Sequence, residues 1–112
     1  MKLVKRRYLA VSIEFHDKLD SYQFMDSVWK AVTQLFGEYG ASQTSLSLIF
    51  YDEASRLAIL RTGHRTLEMV RTALASIIRI EKKPAAIHVV AVSGTIKKLR
   101  NTVVKNTKVS PT

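Results

Sequence analysis

The chain has 112 residues, of which 46% are hydrophobic and 24% charged, a composition typical of one folded domain with a small core. It contains no cysteine and no apolar run of about 18 residues, which excludes a disulfide framework, a thiolate metal site and a membrane-spanning helix. The net charge is +9, so we expect a polyanionic partner, with nucleic acid favoured over an anionic membrane.

Positive charge is concentrated at the two ends and in the second half of the chain. Residues 11–55 carry seven acids and two bases, whereas residues 56–83 carry seven bases and two acids. Residues 94–112 carry five bases and no acid. Because the basic start of the chain is not followed by a long apolar stretch, a signal peptide is not predicted, and we expect a cytoplasmic location.

A strand and a helix are the first predicted elements. Residues 8–15 alternate between apolar and polar side chains, which predicts a half-buried strand. Its buried face is expected to hold Leu9, Val11, Ile13 and Phe15. Asp20 or Ser21 can cap the helix that follows, and Gly37 and Gly40 signal its end. The apolar stripe of this helix consists of Phe24, Val28, Ala31, Val32 and Leu35.

A hairpin and a second helix follow. Residues 45–51 predict a strand, which a turn at 52–55 joins to a third strand at 56–61. The buried positions of the second strand are expected to be Leu46, Leu48 and Phe50. After a break at 62–66, a second helix is expected to continue as far as 81–84, where proline ends it. Its apolar positions are Leu67, Val70, Leu74, Ile77 and Ile78.

The fourth predicted strand, residues 86–92, is apolar on both faces. Its alternating sets are Ile87, Val89 and Ala91 on one face and Ala86, Val90 and Val92 on the other. A strand with one exposed face would not have this pattern, so an additional element must cover the second face. We expect a third helix to do so through Ile96, Leu99 and Val103.

The order β-α-β-β-α-β plus a terminal helix predicts an α+β fold. It is the ferredoxin-like, RNA-recognition-like sandwich, here with an additional C-terminal helix. We expect one domain over residues 1–105 and a flexible C-terminal tail over 106–112.

Catalytic and metal-binding residues are not predicted. His16, His64 and His88 have no partner at the spacing of a metal site. His64 lies between Arg61 and Arg65 and could act as a general acid or base, but a loop histidine that contacts phosphate or solvent is the favoured interpretation.

Nucleic-acid binding is expected to depend on charge rather than on base stacking. The third strand has no aromatic residue, and only Tyr8 and Tyr51 on the neighbouring strands could stack on a base. The turn at 93–95 leaves backbone N–H groups at a helix start, which Ser93 or Thr95 can cap and which otherwise favour an anion. A solvated basic face is the alternative. The predicted RNA-binding residues are Lys5, Arg6, Arg7, Tyr8, Arg61, His64, Arg65, Ser93, Gly94, Thr95, Lys97, Lys98 and Arg100.

A protein-binding surface is predicted in the acidic part of the chain, separate from the RNA-binding residues. The second strand is expected at a sheet edge, where an uncovered strand can pair with another chain. The predicted interface residues are Trp29, Ser42, Thr44 and Leu46.

Three short segments carry a family resemblance. They are Lys5-Arg6-Arg7-Tyr8-Leu9, the strand end Leu60-Arg61, and Ser93-Gly94-Thr95-Ile96. In this order and at this separation they resemble protein component 2 of archaeal and eukaryotic ribonuclease P, over residues 5 to about 104. The short length and the lack of an acidic tail are similar to the archaeal members. The turn at 61–65 departs from the family, in which many members place a cysteine and a further base after the arginine, so only the charge of this turn is carried over.

The resemblance implies a protein subunit of the ribonucleoprotein that removes the 5′ leader from precursor tRNA. It implies that the RNA subunit carries the Mg²⁺-dependent chemistry, and that the protein binds no cofactor and is not catalytic alone. The implied partners are ribonuclease P RNA, protein component 3 and the other protein subunits, and self-association within the assembly is left open. The competing hypotheses are a stand-alone RNA-binding or nuclease domain of ferredoxin-like fold, a ferredoxin-like domain that binds a small ligand, and a regulatory module that binds only proteins.

Overall fold

The computed structural model describes residues 5–99 and Asn101. The elements are β1 (Arg6–Glu14), α1 (Ser21–Ser42), β2 (Ser47–Asp52), β3 (Leu57–Gly63), a 3-10 turn (His64–Thr66), α2 (Leu67–Ser76), β4 (Arg79–Ile80), β5 (Lys83–Pro84) and β6 (Ala86–Ser93). A short helical segment over 96–99 follows β6. The predicted domain bounds at 1–105, the tail at 106–112 and Val103 extend outside the described residues and stay predictions.

Four strands form one antiparallel sheet in the order β2-β3-β1-β6, and β4 pairs with β5 in a separate hairpin. Both long helices pack on the same face of the sheet. This is the ferredoxin-like arrangement, so the predicted fold class is confirmed, as is the position of β2 at a sheet edge. None of the helices in the described part of the chain is long and apolar enough to cross a membrane.

The main core lies between the sheet and the two helices. The sheet contributes Leu9, Val11 and Ile13 of β1 and Leu60 of β3, all buried. The helices contribute Phe24, Val28, Val32, Val70 and Leu74, which are fully buried at the predicted positions. Each such side chain stabilises the fold by about 1.5–3 kcal/mol through removal of apolar area from water.

The start of α1 is capped as predicted, by Asp20. Its carboxylate accepts a 2.8 Å hydrogen bond from the Gln23 backbone N–H, and the Gln23 side-chain oxygen accepts one of 3.0 Å from the Asp20 N–H. The predicted end of the helix is wrong. Gly37 adopts φ 76° and ψ 171°, a conformation open to glycine, and kinks the helix, which then resumes and ends at Ser42. Leu35 is exposed, and its neighbour Phe36 packs against the core instead.

The predicted inward position of Phe50 is also wrong. Leu48 of β2 lies opposite Leu60, and Phe50 lies opposite Ile59, so Ile49 is an extra residue in a β-bulge. Because side chains alternate along a strand, this one insertion moves Phe50 to the open face, where it is 39% exposed.

The second helix ends earlier than predicted. α2 stops at Ser76, and the hairpin of β4 and β5 follows it. The two strands of this hairpin are joined by a turn in which Glu81 and Lys82 both have positive φ. Ile80 of β4 is buried in the main core, whereas the predicted helix position Ile78 is 70% exposed. The Lys83 ammonium contacts the Asp17 carboxylate, which ties the hairpin to the segment before α1.

The open face of the sheet carries a second, smaller core. Leu99 of the C-terminal helical segment is fully buried with Ala10 of β1 and Ile59 of β3. The predicted cover of the second face is therefore confirmed through Leu99. The predicted alternation in β6 is wrong beyond Val89, because a bulge at Val90 places Ala91 on the open face.

Candidate nucleic-acid interface

Three basic segments that lie far apart in the sequence meet at one end of the sheet. β1 begins where β3 and β6 end, because the strands are antiparallel. Arg6 lies opposite Gly63, and Tyr8 lies opposite Arg61 on one side and Ser93 on the other. This end of the sheet, formed by residues 5–8, 61–65 and 93–99, is called the basic end below.

The segments of the basic end are in direct contact. The His64 backbone N–H donates a 2.8 Å hydrogen bond to the carbonyl oxygen of Lys5. The Arg7 guanidinium lies against Gly94, where an added Cβ would be 3.1 Å from Nη1. A larger residue at position 94 would require the Arg7 guanidinium to shift by a few tenths of an ångström.

Thr95, one of the two predicted caps, caps the C-terminal helical segment, and Ser93 holds the turn before it. The Thr95 hydroxyl accepts a 3.3 Å hydrogen bond from the Lys98 backbone N–H, and the Ser93 hydroxyl accepts one of 3.2 Å from the Thr95 N–H. Lys97 and Lys98 are exposed beside this start. The predicted contact residue Arg100 lies outside the described residues.

The basic end is accessible and contains no acidic residue. Residues 5–8 contribute three bases, residues 61–65 contribute two bases and the imidazole of His64, and residues 93–99 contribute two bases. The exposed side chains are Lys5, Arg6, His64, Arg65, Lys97 and Lys98. The half-buried ones are Arg7, Tyr8 and Arg61. These segments contain seven cations and no acid in their own sequence, and their summed charge favours a polyanion.

The two tyrosines that could stack on a base are in different environments. Tyr51 faces the helices, stacks on Phe24 with 5.7 Å between ring centroids, and donates a hydrogen bond to the Leu19 carbonyl oxygen. Burial raises the pKa of the Tyr51 hydroxyl. Tyr8 lies on the open face and is half-buried beside Leu99. One face of the Tyr51 ring is therefore occupied by Phe24, on the side of the sheet that carries the helices, whereas Tyr8 has part of its ring exposed on the open face.

A cleft of about 350 Å³ lies beside the basic end, between α1 and the start of β2. Its lining residues are Arg6, Trp29, Ser42, Ser45, Leu46, Ser47, Arg61, Thr62 and Gly63. The cleft brings together Arg6 and Arg61, predicted to bind RNA, and Trp29, Ser42 and Leu46, predicted to bind protein. The two predicted surfaces are therefore not separate in space.

The fourth predicted interface residue, Thr44, does not line the cleft but makes hydrogen bonds to residues beside it. It is fully buried, and its hydroxyl donates a 2.7 Å hydrogen bond to the Ala41 carbonyl oxygen and accepts one from the Leu46 N–H at 3.3 Å. Its own carbonyl oxygen accepts a 2.7 Å bond from the Thr62 hydroxyl and a 3.2 Å bond from the Gly63 N–H. Thr44 and Leu46 present almost no surface in this chain, so a protein interface built on them stays a prediction.

Metal-ligating side chains do not cluster in the described part of the chain, where no three His, Asp or Glu residues come together. His88 and Glu14 pair across β6 and β1 with 3.1 Å between Nε2 and Oε1, and both are exposed. The expectation that the protein holds no metal stays a prediction.

Sequence reasoning missed Ser45, Ser47, Thr62 and Gly63 as lining residues of the cleft. Their types carry no local signal for binding. The register that sets Ser47 opposite Arg61 is what brings them beside the arginines, and register is a long-range property of the sheet.

Comparisons with known proteins agree with this fold. The profile of the Rpp14/Pop5 family matches residues 7–104. Ribonuclease P protein component 2 of Methanocaldococcus jannaschii is 31% identical over 96 residues, covering 86% of this chain and 70% of that protein. The component 2 protein of Pyrococcus furiosus is 29% identical over 96 residues, covering 86% of this chain and 80% of that protein.

Among solved structures, a chain in the cryo-EM structure of yeast ribonuclease MRP superposes with a TM-score of 0.71 at 14% identity. The match covers 96% of this chain and 98% of that chain, which shows a shared fold. The resemblance seen in the sequence to ribonuclease P protein component 2 is thus confirmed. Since the family profile spans nearly all of the described residues, this chain belongs to the Rpp14/Pop5 family.

Proposed function

We propose that this chain is a protein subunit of ribonuclease P, the ribonucleoprotein that removes the 5′ leader from precursor tRNA. In this proposal it binds the catalytic RNA core and stabilises it together with protein component 3. The observation that carries the RNA-binding part is the convergence of three basic segments at one sheet end. The observation that carries the ribonuclease P part is the similarity to component 2 proteins over 86% of the chain.

The physical role follows from the charge. Compact RNA needs cations to offset the repulsion between its phosphates, and protein cations that replace condensed counterions release those ions to solution. A fixed group of lysines and arginines therefore favours the compact RNA and lowers the Mg²⁺ concentration that it needs. The Mg²⁺ ions of the reaction belong to the RNA subunit in this proposal, and the protein supplies no catalytic group.

Protein partners would use surfaces other than the exposed bases. β2 is an edge strand, and its free side can accept a strand from another chain. Component 3, another protein subunit and a second copy of this chain are the candidates. We expect the whole assembly to act in the cytoplasm.

Reconstitution of precursor tRNA cleavage tests the proposal. Ribonuclease P RNA and the partner proteins are assembled with and without this chain, and cleavage is measured across a series of Mg²⁺ concentrations. We expect the chain to shift the half-maximal Mg²⁺ concentration downward and to show no cleavage when incubated without the RNA. Identical Mg²⁺ curves with and without the chain would contradict the subunit assignment.

A stand-alone nuclease is the competing function, and His64 is the side chain on which it would depend. His64 is exposed at the basic end, next to Arg65. If it only contacts RNA, His64→Ala weakens binding modestly and cleavage by the holoenzyme persists. Loss of cleavage with intact binding and assembly would assign chemistry to the histidine.

A further inference from the structure

We infer that the cleft beside the basic end binds one unstacked nucleotide of RNA, with its base against the Trp29 indole and its phosphate between Arg6 and Arg61. This inference rests on the proposed RNA-binding function and names the contact by which a single-stranded segment would be held. It also changes the role assigned to Trp29, which the sequence placed on a protein surface.

The size and charge of the cleft fit such a ligand. At about 350 Å³ it lies near the lower end of the range for small-molecule sites, enough for a nucleotide and too small for an RNA helix. Its lining contains two arginines and no acidic residue. A guanidinium presents several N–H donors in a planar fork that matches phosphate oxygens.

Trp29 supplies the apolar part. It lies on α1 with part of its indole packed against the main core and the rest lining the cleft. A rigidly held aromatic ring is the usual platform for an unstacked base, and stacking does not depend on which base is present. Leu46 also borders the cleft, although it is only 6% exposed.

Polar groups around the indole can contact the base edge. Ser42, Ser45 and Ser47 line the same cleft. The Ser42 hydroxyl donates to the Tyr39 carbonyl oxygen at 2.6 Å and can still accept a hydrogen bond, whereas a serine hydroxyl in general both donates and accepts. An acidic peptide could use the two arginines, but an indole and three serines that line one cleft favour a planar polar ring over an aliphatic side chain. The observations therefore favour RNA over a protein segment.

Trp29 is the only tryptophan of the chain, so its fluorescence reports directly on the cleft. The purified chain is titrated with a single-stranded oligouridylate of about six nucleotides, and with inorganic polyphosphate of similar charge. Binding is followed in parallel by the anisotropy of a labelled oligonucleotide. We expect the oligonucleotide to quench the Trp29 emission, and polyphosphate to bind with much less quenching because it has no base to stack.

The outcomes separate this inference from the proposed function. Anisotropy that shows RNA binding while the Trp29 emission stays constant overturns the nucleotide site and leaves RNA binding intact. If neither signal changes even with full-length ribonuclease P RNA, the RNA-binding proposal itself fails. An emission change caused only by a partner protein would also overturn the inference, because the cleft would then be a protein contact.

Variants give a second, independent measurement. Trp29→Leu removes the stacking surface and should weaken oligonucleotide binding about 5- to 150-fold, whereas Trp29→Phe keeps an aromatic ring and should retain most of the affinity. Arg61→Gln should weaken binding and leave the tryptophan in place. Arg71→Gln, an equal change of charge on α2 outside the cleft, is the control and should have little effect. Equal affinities for Arg61→Gln and Arg71→Gln would contradict the site.

Discussion

The hydroxyl of Thr62 donates a 2.7 Å hydrogen bond to the carbonyl oxygen of Thr44, and both residues are almost completely buried. The Gly63 N–H donates to the same oxygen at 3.2 Å. These bonds join the connection between α1 and β2 to the end of β3, next to Arg61. The geometry of the cleft and the basic end thus depends on an uncharged contact that no RNA would touch.

Substitution Thr62→Val tests this contact. Valine has nearly the same shape but cannot donate a hydrogen bond, so we expect a loss of about 1–2 kcal/mol in the free energy of unfolding. Urea denaturation gives the value, with Thr72→Val on the exposed side of α2 as the control. The same variant should bind RNA more weakly without a change of charge. A stability loss no larger than that of the control would show that the hydroxyl contact is dispensable.

Leu99 is predicted to matter as a core residue. Its side chain is 0% exposed on the open face of the sheet, so Leu99→Ala should destabilise the fold by about 2–3 kcal/mol. The exposed neighbour Lys97 provides the control, and Lys97→Ala should change stability by less than about 0.5 kcal/mol. Removal of the chain from Thr95 onward should expose the same apolar surface and lower solubility. Equal stability of the two alanine variants would mean that Leu99 does not seal the second face.

The contact between Asp17 and Lys83 gives a pH dependence with a definite sign. The hydrogen bond and charge of Lys83 lower the pKa of Asp17 below 3.8, and those of Asp17 raise the pKa of Lys83 above 10.5. The stabilisation by Asp17 is present above pH 3.8 and is lost as the pH falls through the lowered pKa of this carboxyl group. The stabilisation by Lys83 is present below pH 10.5 and is lost as the pH rises through the raised pKa of this ammonium group.

We therefore expect Asp17→Asn to lower the urea midpoint near neutral pH and to have a smaller effect at strongly acidic pH. Both side chains are exposed, so the difference should be small and should shrink in about 1 M salt, where screening is strong. Asp26→Asn, which breaks the exposed pair with Lys30 within α1, is the control for an ordinary surface contact. A difference that grows as the pH falls would reverse the assigned sign.

The sequence predicted the fold because its strongest signals are local. Alternation in β1, the spacing of Phe24 and Val28 in α1, and the cap at Asp20 each depend on neighbours within one element. The predicted facings of strand side chains were wrong where one inserted residue changes the alternation between the two faces of the sheet. The bulges at Ile49 and Val90 reverse every following side chain, and no residue type marks either position.

The candidate site was predictable in part. Charged residues at element ends were found from the sequence, since the bases are visible and the antiparallel order brings the element ends together. The cleft was not found, because it depends on two features that the local sequence does not show. One is the register that sets Ser47 opposite Arg61, and the other is the continuation of α1 past the kink at Gly37 as far as Ser42. A glycine in a helical pattern is typical of a helix end, and only the packing of the helix after Gly37 shows that this glycine is a kink.

The salt dependence of RNA binding tests most directly the claim that the basic end is the RNA-binding surface. With about four phosphates neutralised, the affinity of the chain for ribonuclease P RNA should fall with a log–log slope of roughly −3 to −4. Arg6→Ala with Arg7→Ala, and separately Lys97→Ala with Lys98→Ala, should weaken binding and flatten the slope by about 1 to 2. Lys30→Ala with Arg71→Ala removes the same charge from the two helices and should leave the slope unchanged. Unchanged slopes in both doubles of the basic end would contradict the account.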